Sequence, residues 1–273
     1  MGSLTKAVLG LVRGKVGNVS FRVRNNVTYA YSIPEKVNVS QTEGAKKARS
    51  KFTPLSRFAS FIKSIPDLKY FWAKANIKAS SAYHKITKYN YPFFLYNRPA
   101  IENEIVPRWA NSSGMNPIRT SYLDKTGIRM EARYEQGWFV QLEEETFIYA
   151  LVVISFYNPV KGKSQYFVFN KLEEDNFEIK TEEQFEIKIP FTEGALNNYY
   201  LYRNSIIYVT FITRDASGNP VRYSENYKHE FTHEYSDEEK IYIDQLQESE
   251  LKEKTKEGYK EYLKRIFSRR GKD

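Results

Sequence analysis

Apolar and polar positions alternate through the first forty residues. Val16, Val19, Phe21 and Val23, then Val27, Tyr29, Tyr31 and Ile33, frame Arg22, Arg24 and the dipeptide Asn25-Asn26. Period-two apolarity on both sides of a short polar turn predicts a β-hairpin. Gly10, Gly14 and Gly17 suit tight turns or close backbone contacts. From Thr42, a reasonable N-cap with Glu43 after it, the period lengthens: Ala48, Phe52, Leu55, Phe58/Ala59 and Ile62 recur at helical spacing. Pro54 lies inside that stripe, so either the helix kinks there or Thr53 caps a second one with proline at its first position. Pro66 opens a further segment, Asp67–Lys74, with Leu68, Phe71 and Trp72 on one face, and Ser81–Lys88 predicts another short helix. These aromatics read first as core.

From about Thr120 the period returns to two. Runs at Gly127–Tyr134, Trp138–Leu142, Phe147–Tyr157, Gln165–Phe169, Phe185–Ile189, Ser205–Thr213 and Val221–Phe231 predict strands, divided by turn signals such as Asn158-Pro159 and the stretch from Asp215 to Pro220. Short strands at this spacing suggest an immunoglobulin-like β-sandwich, without the usual cysteine pair. The chain closes on a capping box, Ser236 with Glu239, followed by acidic residues at the start and Lys264, Arg265, Arg269 and Arg270 at the end. That order complements a helix dipole, and some thirty residues would extend roughly 45 Å. The expected architecture is α+β. Residues 1–119 form a basic hairpin-plus-helix region, 120–235 the immunoglobulin-like sandwich, and 236–273 a long charged C-terminal helix.

Charge sharpens this division. The net charge is +9, yet residues 1–119 hold 20 Lys/Arg against 5 Asp/Glu, a net of +15, and residues 120–273 hold 22 against 28, a net of −6. A basic half of this size suits nucleic acid or an acidic protein surface. Lys15, Arg22, Arg24, Lys46, Lys47 and Arg49 are the candidate electrostatic contacts, interleaved with Phe21, Tyr29 and Tyr31. No helix-turn-helix, zinc-finger or RNP signature accompanies them, so contact with DNA would be non-specific. The chain has no cysteine, which removes disulfides and thiolate chemistry and suits a reducing compartment. It shows no secretory signal and no apolar run of membrane length, and no membrane contact is expected.

The sharpest catalytic string is His229-Glu230-Phe231-Thr232-His233, which matches H-E-x-x-H. In a zinc protease two histidines one helical turn apart bind the metal while the glutamate works on its water. Here the string ends a strand pattern and stands just before the Ser236 cap, so the match reads as coincidence. Gly10 to Val16 lacks the spacing and the Ser/Thr of a phosphate loop, and no G-x-S-x-G elbow occurs. No catalytic residue, metal or cofactor is expected, and the chain reads as a non-enzyme.

One resemblance goes further than the chemistry. Met1-Gly2, Leu4, Lys6, Gly10, Gly14-Lys15-Val16-Gly17-Asn18-Val19, then Pro34, Thr42-Glu43, Arg49, Lys51-Phe52 and Ser81-Ala82-Tyr83 resemble a family of uncharacterised proteins from Bacteroidota and their phages. The match spans about the first 120 residues by motif and the rest by architecture. It implies a glycine-rich basic hairpin before an immunoglobulin-like domain and, as with members from crAss-like phages, a place among virion structural proteins. The implied role is a ring, neck or tail component near the portal, made in the host cytoplasm and located in the virion. Its expected partners are further copies in a homo-oligomeric ring and other virion proteins. The alternative is a nucleic-acid-binding or adhesion-type module of a Bacteroidota cell. The proline at position 54 and the long C-terminal helix depart from the family pattern.

Overall fold

The computed structural model describes residues 2–4, 13–24, 26–33, 39–95, 98–108, 118–133, 143–160, 167–174, 177–178 and 184–249. The chain divides into two compact units, Met1–Lys46 and Lys47–Asp273.

In the first unit four short strands form one antiparallel sheet. They are β1 (Gly2–Leu4), β2 (Gly14–Val16), β3 (Val19–Arg24) and β4 (Val27–Ser32), in the order β1-β4-β3-β2. The predicted hairpin is β3 with β4, closed so that Arg24 pairs with Val27 across Asn25-Asn26. Asn26 takes φ 61°, the left-handed conformation that such a tight turn demands and asparagine tolerates. Among residues 13–23, 26–33 and 39–46 the one buried side chain is Thr28, and no apolar side chain is buried.

Helix α1 (Glu43–Ser64) runs through Pro54 as one element. Thr53 does not cap a second helix: its hydroxyl donates to the Arg49 carbonyl at 3.1 Å. All of the helix's buried residues, Pro54, Leu55, Phe58, Ala59 and Ile62, lie in its second half. Helices α2 (Pro66–Lys74) and α3 (Ala82–Asn90) follow, with Pro66 in the first turn of α2 and the Ser81 hydroxyl accepting from the His84 amide in α3. Proline suits a first turn, where its missing N–H has no partner to lose.

The second unit is organised by two thirteen-residue strands, β7 (Phe147–Pro159) and β11 (Tyr202–Arg214), paired antiparallel from Tyr202↔Pro159 to Arg214↔Phe147. Strands β8 (Phe167–Glu173) and β9 (Phe177–Glu178) flank β7. Strands β12 (Pro220–Tyr223) and β13 (Tyr227–Thr232) flank β11. The single run read at Val221–Phe231 is therefore two strands, broken at Ser224–Asn226. A separate sheet is built from β5 (Ile118–Asp124), β6 (Gly127–Arg133) and β10 (Gln184–Pro190) in the order β10-β6-β5.

Ile148 through Tyr157 are all buried, and the side chains divide by parity. Ile148, Ala150, Val152, Ile154 and Phe156 join Ile207, Val209 and Phe211 against Ile128, Met130, Ile187 and Ile189 of the three-stranded sheet. Tyr149, Leu151, Val153 and Tyr157 join Ile206, Tyr208 and Ile212 against Leu55, Phe58, Ile62, Leu68 and Trp72 of the helices. The central sheet thus has a sheet on one face and helices on the other. A ten-residue stretch buried on both faces cannot alternate with polar residues, which is why this run is almost continuously apolar.

Helix α4 (Glu193–Leu201), capped by the Thr192 hydroxyl at 3.3 Å from the Ala195 amide, was not foreshadowed by the periodicity. The capping box at Ser236 is formed: Glu239 accepts from the Ser236 amide at 2.8 Å and Ser236 Oγ from the Glu239 amide at 3.3 Å. The helix it opens is described over 237–249 and buries Ile243. The rest of the predicted long helix, and the strand expected at Trp138–Leu142, lie outside the described residues.

Candidate functional site

The N-terminal sheet sorts its residues by face. Register pairs Lys15 with Ser20, Ser20 with Tyr31, Arg22 with Tyr29 and Tyr29 with Ser3, so these residues share one side. The Arg24 side chain lies outside the described residues. Val16, Val19, Phe21, Val23, Thr28 and Ala30 take the other. Two of the six cations singled out in the sequence are thereby gathered on one face of one sheet. Lys15 and Arg22 are exposed, and the Arg22 guanidinium stands 5.2 Å from the centre of the Tyr31 ring. Ser20 donates to the Tyr31 hydroxyl at 3.0 Å, which fixes that ring. The other three cations lie on α1. Lys46, Lys47 and Arg49 are exposed there, and Lys46 is partly neutralised by Glu43 at 3.4 Å.

The H-E-x-x-H string lies on β13 and just beyond it. Strand alternation sends His229 and Glu230 to opposite faces of the sheet, where a helix would have set the two histidines side by side. His229 Nδ1 lies 3.0 Å from Ser121 Oγ, and its ring stacks on Phe231. Glu230 accepts from the Tyr157 hydroxyl and from Arg98 at 3.4 Å. His233 is buried, with Nδ1 2.8 Å from the Tyr202 carbonyl and 3.1 Å from that of Tyr199, and Nε2 2.9 Å from Ser205 Oγ. A carbonyl can only accept, so Nδ1 carries the proton and Nε2 accepts from the serine. Burial pushes this imidazole below its ordinary value of 6.5, outweighing the two carbonyls that favour its charged form. Among the described residues no cluster of three or more His, Cys, Asp or Glu has metal-binding geometry.

Sequence reasoning missed a second set of ionisable groups. Tyr149 and Tyr157 lie eight residues apart on the helix-facing side of β7. Tyr149 donates to Asp67 of α2, which also binds Arg214 at 2.8 Å, and that guanidinium lies 4.2 Å from the Tyr149 ring centre. Tyr157, Glu230 and Arg98 repeat the arrangement at the other end of the strand, again with 4.2 Å from cation to ring. Burial raises both phenols well above their usual range, and the adjoining carboxylates raise them further. Glu145, with a fully buried side chain, accepts from Arg222 at 2.5 Å through each of two nitrogens and from Thr213 at 2.6 Å. A cavity of about 110 Å³ lies between residues 104–108 and 223–228. There Glu104 binds Lys228 at 2.6 Å and Asn226 at 2.7 Å, and Tyr223 donates to the Pro107 carbonyl at 2.9 Å. Each of these groups joins one element to another. No spacing rule links Asp67 to Tyr149 or Glu145 to Arg222, which is why a linear reading overlooks them.

No protein-family model, curated protein or solved structure matches this chain. The reading of its function rests on the two faces of the N-terminal sheet and on the use made of charge in the second unit.

Proposed function

We propose that the protein is non-enzymatic and structural, acting through assembly with further copies of itself and with neighbouring proteins. The observation that carries this reading is the apolar face of the N-terminal sheet, which is exposed at its Val16–Val19 end. Val16 is 70% exposed and Val19 38%, and no apolar side chain is buried among residues 13–23, 26–33 and 39–46. A sheet this small gains its stability by covering such a face, and the chain has no cysteine to staple it instead. The opposed charges of residues 1–119 and 120–273 favour head-to-tail contacts between copies, which close into rings when the rotation allows. The resemblance carried by Gly14–Val19 and the residues around it supports a ring in the neck, tail or portal-associated part of a phage virion. The immunoglobulin-like assignment of residues 120–235 and the single long helix over 236–273 belong to this proposal. The first is supported by two antiparallel sheets facing across a core, the second by the formed capping box.

A nucleic-acid-binding or adhesion-type module of a Bacteroidota cell is the second reading, favoured by the tyrosine-and-cation face of the same sheet. Light scattering of the full chain across salt concentrations tests the first. A discrete high-order oligomer that salt weakens is the expected result. A monomer at every salt and protein concentration would count against assembly through this sheet.

A further inference from the structure

The polar face of the N-terminal sheet has a composition unlike the rest of the chain. Lys15, Ser20 and Tyr31 cross β2, β3 and β4 in one row; Arg22, Tyr29 and Ser3 cross β3, β4 and β1 in the next. The four strands contain no aspartate or glutamate. Neither Lys15 nor Arg22 meets a carboxylate among the described residues, whereas Arg98, Arg214, Arg222 and Lys228 of the second unit each do. Among the described residues these two cations are thus open to an external anion.

The tyrosines decide what kind. Tyr29 and Tyr31 are partly exposed and lie on the same face as the cations, in neighbouring rows. Rows on one face are about 6.8 Å apart along a strand, a spacing that an extended nucleotide strand can follow. An acidic protein segment would use the cations and have no use for two rings set between them. Bases stack on aromatic faces whatever their sequence, while cations track the phosphates. Arg22 is already held beside the Tyr31 ring, so a base stacked there would meet a prearranged edge of positive charge. We infer that this face binds a single nucleic-acid strand without sequence preference, Lys15 and Arg22 contacting phosphates and Tyr29 and Tyr31 stacking bases. The inference deepens the second reading above and leaves the sheet's apolar face free for assembly.

The test is fluorescence anisotropy of the full chain with labelled oligo(dT) and oligo(U) of about 20 nucleotides, long enough to cover such a site. Saturable binding is expected, with log K falling against log salt by about 0.7 for each phosphate contacted, and Lys15→Gln removing about that much from the slope. Tyr29→Leu is expected to weaken binding roughly 5- to 150-fold, as loss of one stacked base does, while Tyr29→Phe stays near the parent. Binding of the two oligomers within a few-fold of each other supports the inference, and binding of only one of them overturns it. No binding by folded protein at low salt overturns it. So does binding that Tyr29→Leu leaves unchanged, or poly-glutamate binding as tightly with the same salt slope, since either reduces the face to a general anion surface. Light scattering of the same samples without nucleic acid keeps the two failures apart: parent protein that assembles but does not bind sinks this inference alone.

Discussion

His233 shows how far a residue's neighbours outweigh its motif. Its two ring nitrogens are committed to the backbone carbonyls of Tyr199 and Tyr202 and to Ser205, so the second histidine of the H-E-x-x-H string is a neutral tie in the core. Because its folded pKa is depressed, its contribution to stability is present above pH 6.5 and drains away below it, as the unfolded chain takes up the proton first. The urea midpoint is expected to fall between about pH 7.5 and pH 5.5, and His233→Gln to flatten that dependence. Asp124, Asp215 and Asp237, all held below their ordinary 3.8, contribute in a lower window and do not confuse the result. The two tyrosine ties give a second prediction. Asp67 keeps 12% of its side-chain surface and Glu230 keeps 41%, so removing the phenol hydroxyl takes a hydrogen bond from a far more buried carboxylate in the first case, with Arg214 its remaining partner. Tyr149→Phe is expected to cost about 1–3 kcal/mol and Tyr157→Phe less than about 1 kcal/mol by chemical denaturation. That the histidine string falls at a strand end was legible in the sequence. The tyrosine ties were not, since residues 82 positions apart leave no linear trace.

Among the elements, those whose signal is local were legible. The hairpin over β3 and β4, the proline-opened α2, the Ser81-capped α3 and the Ser236 capping box each announce themselves within a few residues. Pro54 illustrates the limit. The local rule disfavours proline inside a helix, yet α1 continues because Leu55, Phe58, Ala59 and Ile62 gain burial against the sheet. Helix α4 escaped for a related reason: Ala195, Tyr199, Tyr200 and Leu201 are buried in a nine-residue segment too short for its period to stand out. Gly127 carries the element-scale prediction. It takes φ +145°, and a Cβ there would collide with the carbonyl oxygen of Ile189, where β6 pairs with β10. Gly127→Ala is expected to lower stability by at least about 1–3 kcal/mol, the cost of the backbone strain alone, read from the urea midpoint.

In the molecule as a whole, charge and burial follow different rules in the two units. In Lys47–Asp273, buried cations are matched with carboxylates and a long apolar sheet is covered on both faces. The apolar run of β7 carried that double cover in plain view, though periodicity alone could not say that α1, α2 and α3 supply one side of it. In Met1–Lys46, the described strands expose Val16 and Val19 on their apolar face and carry no carboxylate. A small sheet in that condition is stable only when something binds it, so its stability should depend on concentration. Hydrogen–deuterium exchange of the full chain, read on peptides spanning residues 13–33 at high and low protein concentration, tests this most directly. Slow exchange in concentrated protein that becomes fast on dilution, with the β7 and β11 peptides protected throughout, is the predicted result. Protection of residues 13–33 that is the same at every concentration would contradict the account.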